Sequence, residues 1–180
     1  MTPKRWPDMV ELFERRGPRG GSKLSPAYGC WCMYWRDRTL PHGEPKKQAM
    51  QALVRAGGEP GLLAYAAGVP VGWVSVAPRA QFQHILRSPQ YRPRDEGGGS
   101  SVWSVVCFAI DPDQRRHGLA AVLLDAAVAH AFVRGATSIE AYPHNSSRTD
   151  YMGYVELYRR AGFASMRDAN RRSVVRLEPT

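Results

Sequence analysis

At 180 residues the chain has the length of one ordinary domain, and its 43% hydrophobic and 23% charged content is that of a globular protein with a sizeable core, not a disordered one. No stretch approaches the roughly 18 consecutive apolar residues of a membrane-spanning helix, and Met1 to Pro7 holds basic residues without the apolar core of a signal peptide, so a cytoplasmic location is expected. A formal net charge of +9 points to an anionic partner, whether nucleic acid, a polyphosphate cofactor or an acidic substrate. The basic pairs Arg15-Arg16, Lys46-Lys47, Arg115-Arg116, Arg159-Arg160 and Arg171-Arg172 are scattered, however, and most read as solvated surface.

Residues 6–16 place Trp6, Met9, Val10 and Phe13 at helical spacing, and the glycine- and proline-rich run at 17–21 stops them. Residues 28–36, YGCWCMYWR, predict an aromatic-rich strand. A turn is expected from Pro41 to Pro45, followed by a short amphipathic helix over 46–56 with Ala49, Met50, Leu53 and Val54 on one face. Residues 61–68 and 69–78 read as the two strands of a hairpin, residues 80–87 as a helical turn or two, and the proline- and glycine-rich 88–101 as a mobile loop inside the domain. Residues 102–110, VWSVVCFAI, form a nearly continuous apolar run that suits a central strand buried on both faces. A helix is expected from about Arg116 to Arg134, with Leu119, Val122, Leu123, Ala126 and Val133 turned inward. A strand at 137–142, a short helix at 152–160 and two strands around Asp168-Ala169-Asn170 complete the chain. This order predicts an α/β (α+β) fold with mixed strand directions, and the lack of G-x-G-x-x-G after the first strand excludes a Rossmann unit.

The three cysteines, Cys30, Cys32 and Cys107, are an odd number without an export signal, which argues against a disulfide framework. Cys30 and Cys32 with His42 are too few ligands for a zinc site, and the plainer reading is small residues on a strand; no metal is expected.

The segment from Ile110 to Ala120, IDPDQRRHGLA, carries the most chemistry. A buried strand stops at a proline, a basic loop follows, and a helix begins at once. The first turn of a helix has backbone N–H groups without intrahelical partners and the positive end of the macrodipole, which together suit a pyrophosphate. Gly118 and Ala120 let phosphate oxygens approach the backbone, and Arg115 and Arg116 add charge. The spacing Arg115-x-x-Gly118-x-Ala120 resembles the phosphate-binding pattern of the GNAT superfamily of N-acetyltransferases, in a bacterial subgroup of unassigned acceptor. Leu157-Tyr158-Arg159-Arg160-Ala161-Gly162-Phe163 resembles a second segment of the same superfamily, in the expected place after one strand and one helix.

The resemblance covers about residues 60–178 and implies a mostly antiparallel sheet flanked by helices, with a splayed central strand pair. It implies one acyltransferase domain over 1–180, with 1–59 shaping the acceptor side and 60–180 binding acetyl-CoA. On this sequence the pantetheine arm would lie along Phe108, Ala109 and Ile110, and the phosphates on Arg115, Arg116, His117, Gly118, Leu119 and Ala120. A backbone N–H near Cys107 or Phe108 would polarise the thioester carbonyl, and Tyr158 would protonate the departing thiolate. One departure is plain: many members carry an asparagine seven residues before this tyrosine, where this chain has Tyr151.

No carboxylate lies on 102–110, so Glu140, His144 and Asp150 remain as candidate bases beside a water relay or an acceptor amine already neutral. Cys107 is a candidate nucleophile or a buried structural thiol, and Trp31, Tyr34, Trp35 and Trp73 either line an acceptor pocket or pack the core. The expected partner is an amine on a small molecule or peptide, with a homodimer allowed and neither nucleic acid nor membrane. The competing readings are a non-catalytic acyl-CoA-binding sensor and, on charge alone, a nucleic-acid-binding domain, although no zinc finger, RNP segment or clear helix-turn-helix is present.

Overall fold

The computed structural model describes residues 1–17, 29–92, 101–145, 151–169 and 172–179. The elements are α1 (Trp6–Glu14), α2 (Glu44–Arg55), β1 (Gly61–Ala66), β2 (Val69–Pro78), α3 (Gln83–Arg87), β3 (Val102–Ile110), α4 (Leu119–Val133), β4 (Ser138–Ala141), α5 (Val155–Arg160), β5 (Ala164–Ala169) and β6 (Arg172–Leu177). The strands form one six-stranded sheet in the order β1-β2-β3-β4-β6-β5. Every neighbouring pair is antiparallel except β3 and β4. This is the mixed, mostly antiparallel sheet expected from the sequence, covered by helices on both faces.

One core lies between the sheet and α1, α2 and the 29–40 segment, and gathers Met9, Phe13, Trp31, Met50, Trp73 and Cys107. The other lies under α4 and α5, and gathers Val74, Val105, Phe108, Leu123, Ala127 and Tyr158. β3 is apolar except for Ser104, because both of its faces are covered.

A bulge in β3 sets up the site. Ser75 pairs with Cys107 and Val76 with Val105, which leaves Val106 as the extra residue. Val106 and Cys107 therefore face the same core, and the period-2 alternation breaks. The parallel pairing of β3 to β4 runs only from Val102 to Val105 against Ser138 to Ala141. The pairing of β3 with β4 thus ends where the bulge begins and β4 stops, which leaves the rest of β3 unpaired to β4, as the expected splay requires.

Three sequence readings are corrected. Residues 29–36 are not a strand but consecutive turns, with Met33 N–H bonded to Cys30 O at 2.9 Å and Arg36 N–H to Met33 O at 3.0 Å; Tyr28 lies outside the described residues. Trp31 and Cys32 sit at φ of 47° and 52°, which an extended chain cannot hold. Their aromatic and β-type composition reflects burial, not strand geometry. α2 starts two residues ahead of the reading, because Pro45 occupies its first turn, where a missing N–H costs nothing.

The inward face of α4 is also different. Leu123, Leu124, Ala127 and Ala131 are buried, whereas Val122 and Val133 are 61% and 85% exposed and Ala126 is exposed. The sequence LAAVLLDAAVAHAFV is apolar on nearly every side, so its periodicity does not single out a face. Residues 93–100 of the loop reading, and Asn170 and Arg171 between β5 and β6, lie outside the described residues. Among the described residues, no helix is long and apolar enough to cross a membrane.

Candidate active site

The turn after β3 is held from beneath. Asp111 N–H donates to Val71 O at 2.9 Å, and the Asp111 carboxylate accepts the N–H of Asp113 at 3.1 Å, capping a 3-10 turn over Pro112–Gln114. The other Asp111 oxygen takes Arg15 Nη1 at 2.7 Å. Arg115 Nε donates to Ile110 O at 3.2 Å. Arg116 and Gly118 then take left-handed backbone, φ 64° and 80°. A Cβ on Gly118 would meet nothing within 4 Å, so the glycine is needed for its backbone angle, and the space above it is open.

Gly118 O receives the first intrahelical bonds, from Ala121 at 2.9 Å and Val122 at 3.3 Å, so the N–H groups of Leu119 and Ala120 stand ahead of the ladder. The side chains of Arg115, Arg116 and His117 are exposed around this end of α4. Backbone donors, helix dipole and three basic groups converge here, and Leu119 and Ala120 are half-buried at the same end. Arg115, Arg116, His117, Gly118, Leu119 and Ala120 are brought together at one open, basic helix terminus, a setting that suits an anion.

Beyond the bulge, the edge of β3 abandoned by β4 is taken by the chain itself. Phe108 N–H donates to Tyr151 O at 2.5 Å. On the far side of the same segment, His144 N–H donates to Gly153 O at 2.9 Å and Val155 N–H to His144 O at 3.1 Å. Residues 151–154 therefore sit as a short irregular segment between β3 and His144, with Tyr154 in an isolated parallel bridge to His144. Gly153 makes this possible: its φ is 75°, and a Cβ there would lie 3.3 Å from the Tyr158 ring.

Tyr158 is fully buried, and its hydroxyl donates to Met152 O at 2.8 Å. Its ring packs edge-on to Phe163 at 5.3 Å and tilted against Phe108 at 6.4 Å. The structure thus brings the Phe108 amide and the Tyr158 hydroxyl to one place, each bonded to one of two adjacent carbonyls. Ala109 and Ile110 continue the same strand towards the phosphate turn. The sequence contained Tyr151 only as a departure from the expected asparagine; that its carbonyl fills the slot depends on contacts no local pattern encodes.

The remaining candidates are placed elsewhere. Glu140 is buried and accepts Arg79 Nη1 at 3.0 Å, Arg176 Nη2 at 2.7 Å and Tyr142 OH at 3.0 Å. Its two oxygens are committed to a buried network that also reaches Ser104 through Tyr142, so it is a structural anion, not a free base. Burial, with Glu140 beside it, pushes the Tyr142 phenol well above its ordinary value. His144 is half-buried and holds the inserted segment through its backbone. Asp150 lies outside the described residues.

The Cys107 thiol lies 3.2 Å from that of Cys32, which also accepts the Trp73 indole N–H at 3.2 Å. Cys30 is half-buried, and burial pushes its thiol up. Among the described residues, no group of three or more His, Cys, Asp or Glu is placed to hold a metal ion. Trp31 and Trp73 are core: both pack on Phe13, at 5.2 Å and 6.4 Å. Tyr34 and Trp35 are half-buried in an aromatic run with His84 and Tyr91 that ends on Tyr142.

A bulged central strand that parts from its parallel neighbour, with an open, basic helix terminus at its end, is an architecture that suits a coenzyme-binding acyltransferase. The profile of the acetyltransferase (GNAT) family matches residues 27–163, and the chain belongs to that family. The fold is similar to ribosomal-protein-alanine N-acetyltransferase from Brucella melitensis, with 16% identity, a TM-score of 0.58, and 99% of this chain and 97% of that one covered. It is also similar to yncA from Salmonella typhimurium, solved with acetyl-CoA, at 15% identity and a TM-score of 0.59 over 99% and 90% of the two chains. A third, the PaiA N-acetyltransferase of Thermoplasma acidophilum in complex with coenzyme A, has 10% identity and a TM-score of 0.56 over 99% and 96%. No curated protein matches the chain.

Proposed function

We propose that the protein transfers an acetyl group from acetyl-CoA to a primary amine of a small molecule or peptide by direct attack. The observation that carries this is the continuity of the bulged edge of β3, from Phe108 to Ile110, with the basic, open turn that begins α4. One surface thereby offers a β-edge for an amide-bearing arm and a cationic helix terminus for a diphosphate. Membership of the family, and the likeness to folds solved with coenzyme A and acetyl-CoA, support the same donor.

In the reaction the acceptor nitrogen forms a C–N bond to the acetyl carbonyl carbon, the carbonyl π pair moves to oxygen to give a tetrahedral intermediate, and its collapse breaks the C–S bond. The Phe108 N–H stabilises the oxyanion of the tetrahedral intermediate. The electron pair leaves on sulfur, Tyr158 supplies the proton that makes the free thiol, and the proton lost by the amine passes to water, which returns one to Tyr158. Glu140 takes no part, because its carboxylate is bound to two arginines.

A second reading, a non-catalytic acyl-CoA sensor, is favoured by the burial of Tyr158 and its bond to Met152 O. The two separate in a thiol-release screen of acetyl-CoA against amines, amino acids, polyamines and peptides, with coenzyme A binding measured by calorimetry. For the enzyme, Tyr158→Phe lowers kcat by about 10²-fold or more while the coenzyme A Kd rises by no more than about threefold. Coenzyme A binding without thiol release for any amine class leaves only the sensor.

A further inference from the structure

Arg15 lies 96 residues before Asp111 in sequence, in none of the segments that point to the donor site. It ends α1, as the residue after Glu14. Its guanidinium reaches three groups: Asp111 Oδ2 at 2.7 Å, Pro70 O at 3.0 Å and Glu11 Oε1 at 2.8 Å. Asp111 is 4% exposed and stands at the joint between β3 and the phosphate turn. Its other oxygen caps the turn through Asp113 N–H, and its own N–H is tied to Val71 O.

The carboxylate that shapes the turn is therefore a buried negative charge at the base of a site built for anions. Left alone it would repel a diphosphate and resist its own burial. A fork that spans the end of α1, the start of β2 and the end of β3 meets both problems. It supplies the opposite charge, and it fixes the carboxylate from a second direction.

We propose that Arg15 is a positioning residue for the phosphate turn, acting through Asp111 to hold the turn in shape and to cancel the charge at its base. The proposal rests on the acetyl-CoA reading above. It also gives the N-terminal third of the chain a role on the donor side, in addition to the acceptor-side role expected of it.

The test compares two donors, acetyl-CoA and S-acetylpantetheine, which shares the thioester and the arm but has no diphosphate. In Arg15→Met, the KM for acetyl-CoA rises roughly tenfold, kcat stays within about twofold, and the KM for S-acetylpantetheine is unchanged. A merely structural role would move both KM values together or neither, and either result overturns the proposal. Should Arg15→Met fail to fold, Arg15→Lys keeps the charge and loses the fork. It is expected to raise the ratio of the two KM values about threefold, and a wild-type ratio overturns the proposal.

If wild-type protein releases no thiol with any amine, the transfer reading fails by itself. The same comparison is then made on Kd, with coenzyme A and pantetheine as probes, and the same ratios decide it. Absence of coenzyme A binding to the wild-type protein overturns both.

Discussion

Saturating the protein with acetyl-CoA is expected to drive residues 151–153 off the edge of β3. In the proposed mechanism the thioester carbonyl requires the Phe108 N–H, which is bonded to Tyr151 O at 2.5 Å, and the leaving sulfur requires the Tyr158 hydroxyl, which is bonded to Met152 O at 2.8 Å. Neither donor has a second hydrogen to give. Each hydrogen bond contributes about 0.5–1.5 kcal/mol net, so losing both outright would oppose binding by about 1–3 kcal/mol, or roughly 5- to 150-fold in affinity, before any replacement bond to the ligand is counted. The assay is amide hydrogen exchange, with the through-bond coupling between Phe108 nitrogen and the Tyr151 carbonyl carbon followed by NMR. In the free protein that coupling is present, and the Val155 N–H, bonded to His144 O, exchanges slowly. With ligand bound, the coupling disappears and Val155 exchanges faster, while the amides of Leu119 and Ala120 become protected. A complex in which the Phe108–Tyr151 coupling persists would refute the assignment of Phe108 as the oxyanion donor, because one N–H cannot serve both carbonyls with full strength.

The other expectations address the same framework from different sides. Gly153→Ala places a side chain at φ 75° and 3.3 Å from the Tyr158 ring; it should cost about 1–2 kcal/mol and lower Tm by roughly 2–8 °C in a thermal melt, and an unchanged Tm would remove the strain argument. Glu140→Gln leaves Arg79 and Arg176 without their shared anion; a loss of about 3–5 kcal/mol is expected in denaturant titration, with the coenzyme A Kd unaltered, and a large change in Kd would place Glu140 in the site after all. His84 and His130 are both held below the ordinary histidine value, chiefly by burial, with Arg38 acting on the first. Their folded values lie below the unfolded one, so the stability they lend is complete above about pH 6.5 and is lost as pH falls through the folded values. Melting temperature should therefore decline on acidification from pH 7.5 to 5.5, and less steeply in a His84→Gln, His130→Gln double variant; equal slopes would assign the acid sensitivity to other groups.

The features legible in the sequence are those fixed by local chemistry. β3 was read with the bounds Val102 and Ile110 because burial on both faces demands a nearly continuous apolar run. The turn at Ile110 to Ala120 was readable because a strand end, a basic loop and a helix start must follow one another within a few residues. Where composition and conformation separate, the reading failed. Trp31 and Cys32 are as buried as strand residues yet sit in left-handed backbone. Along α4 an almost uniformly apolar sequence hides the inward side.

What pairwise contact decides was invisible for a further reason. The bulge at Val106 shows only as a loss of register between two strands, and neither strand's own sequence marks it. That single extra residue turns Val106 and Cys107 to the same face and ends the pairing with β4 at Val105. It thereby leaves the Phe108 amide without a β4 partner. An orphaned N–H this deep in the sheet is costly, and the inserted segment removes that cost with the Tyr151 carbonyl. The slot and its occupant follow from the same bulge. A bound thioester offers Phe108 the same kind of acceptor, so the exchange of one carbonyl for another can be close to neutral at that bond. The net opposition to binding then falls mainly on the Tyr158 to Met152 bond and on the ordering lost in 151–153. In Tyr158→Phe that bond is already absent, so the variant should bind coenzyme A as well as or slightly better than the wild type, by up to about tenfold. A tenfold loss of affinity instead would mean that the hydroxyl contacts the bound ligand directly and that Met152 does not compete for it.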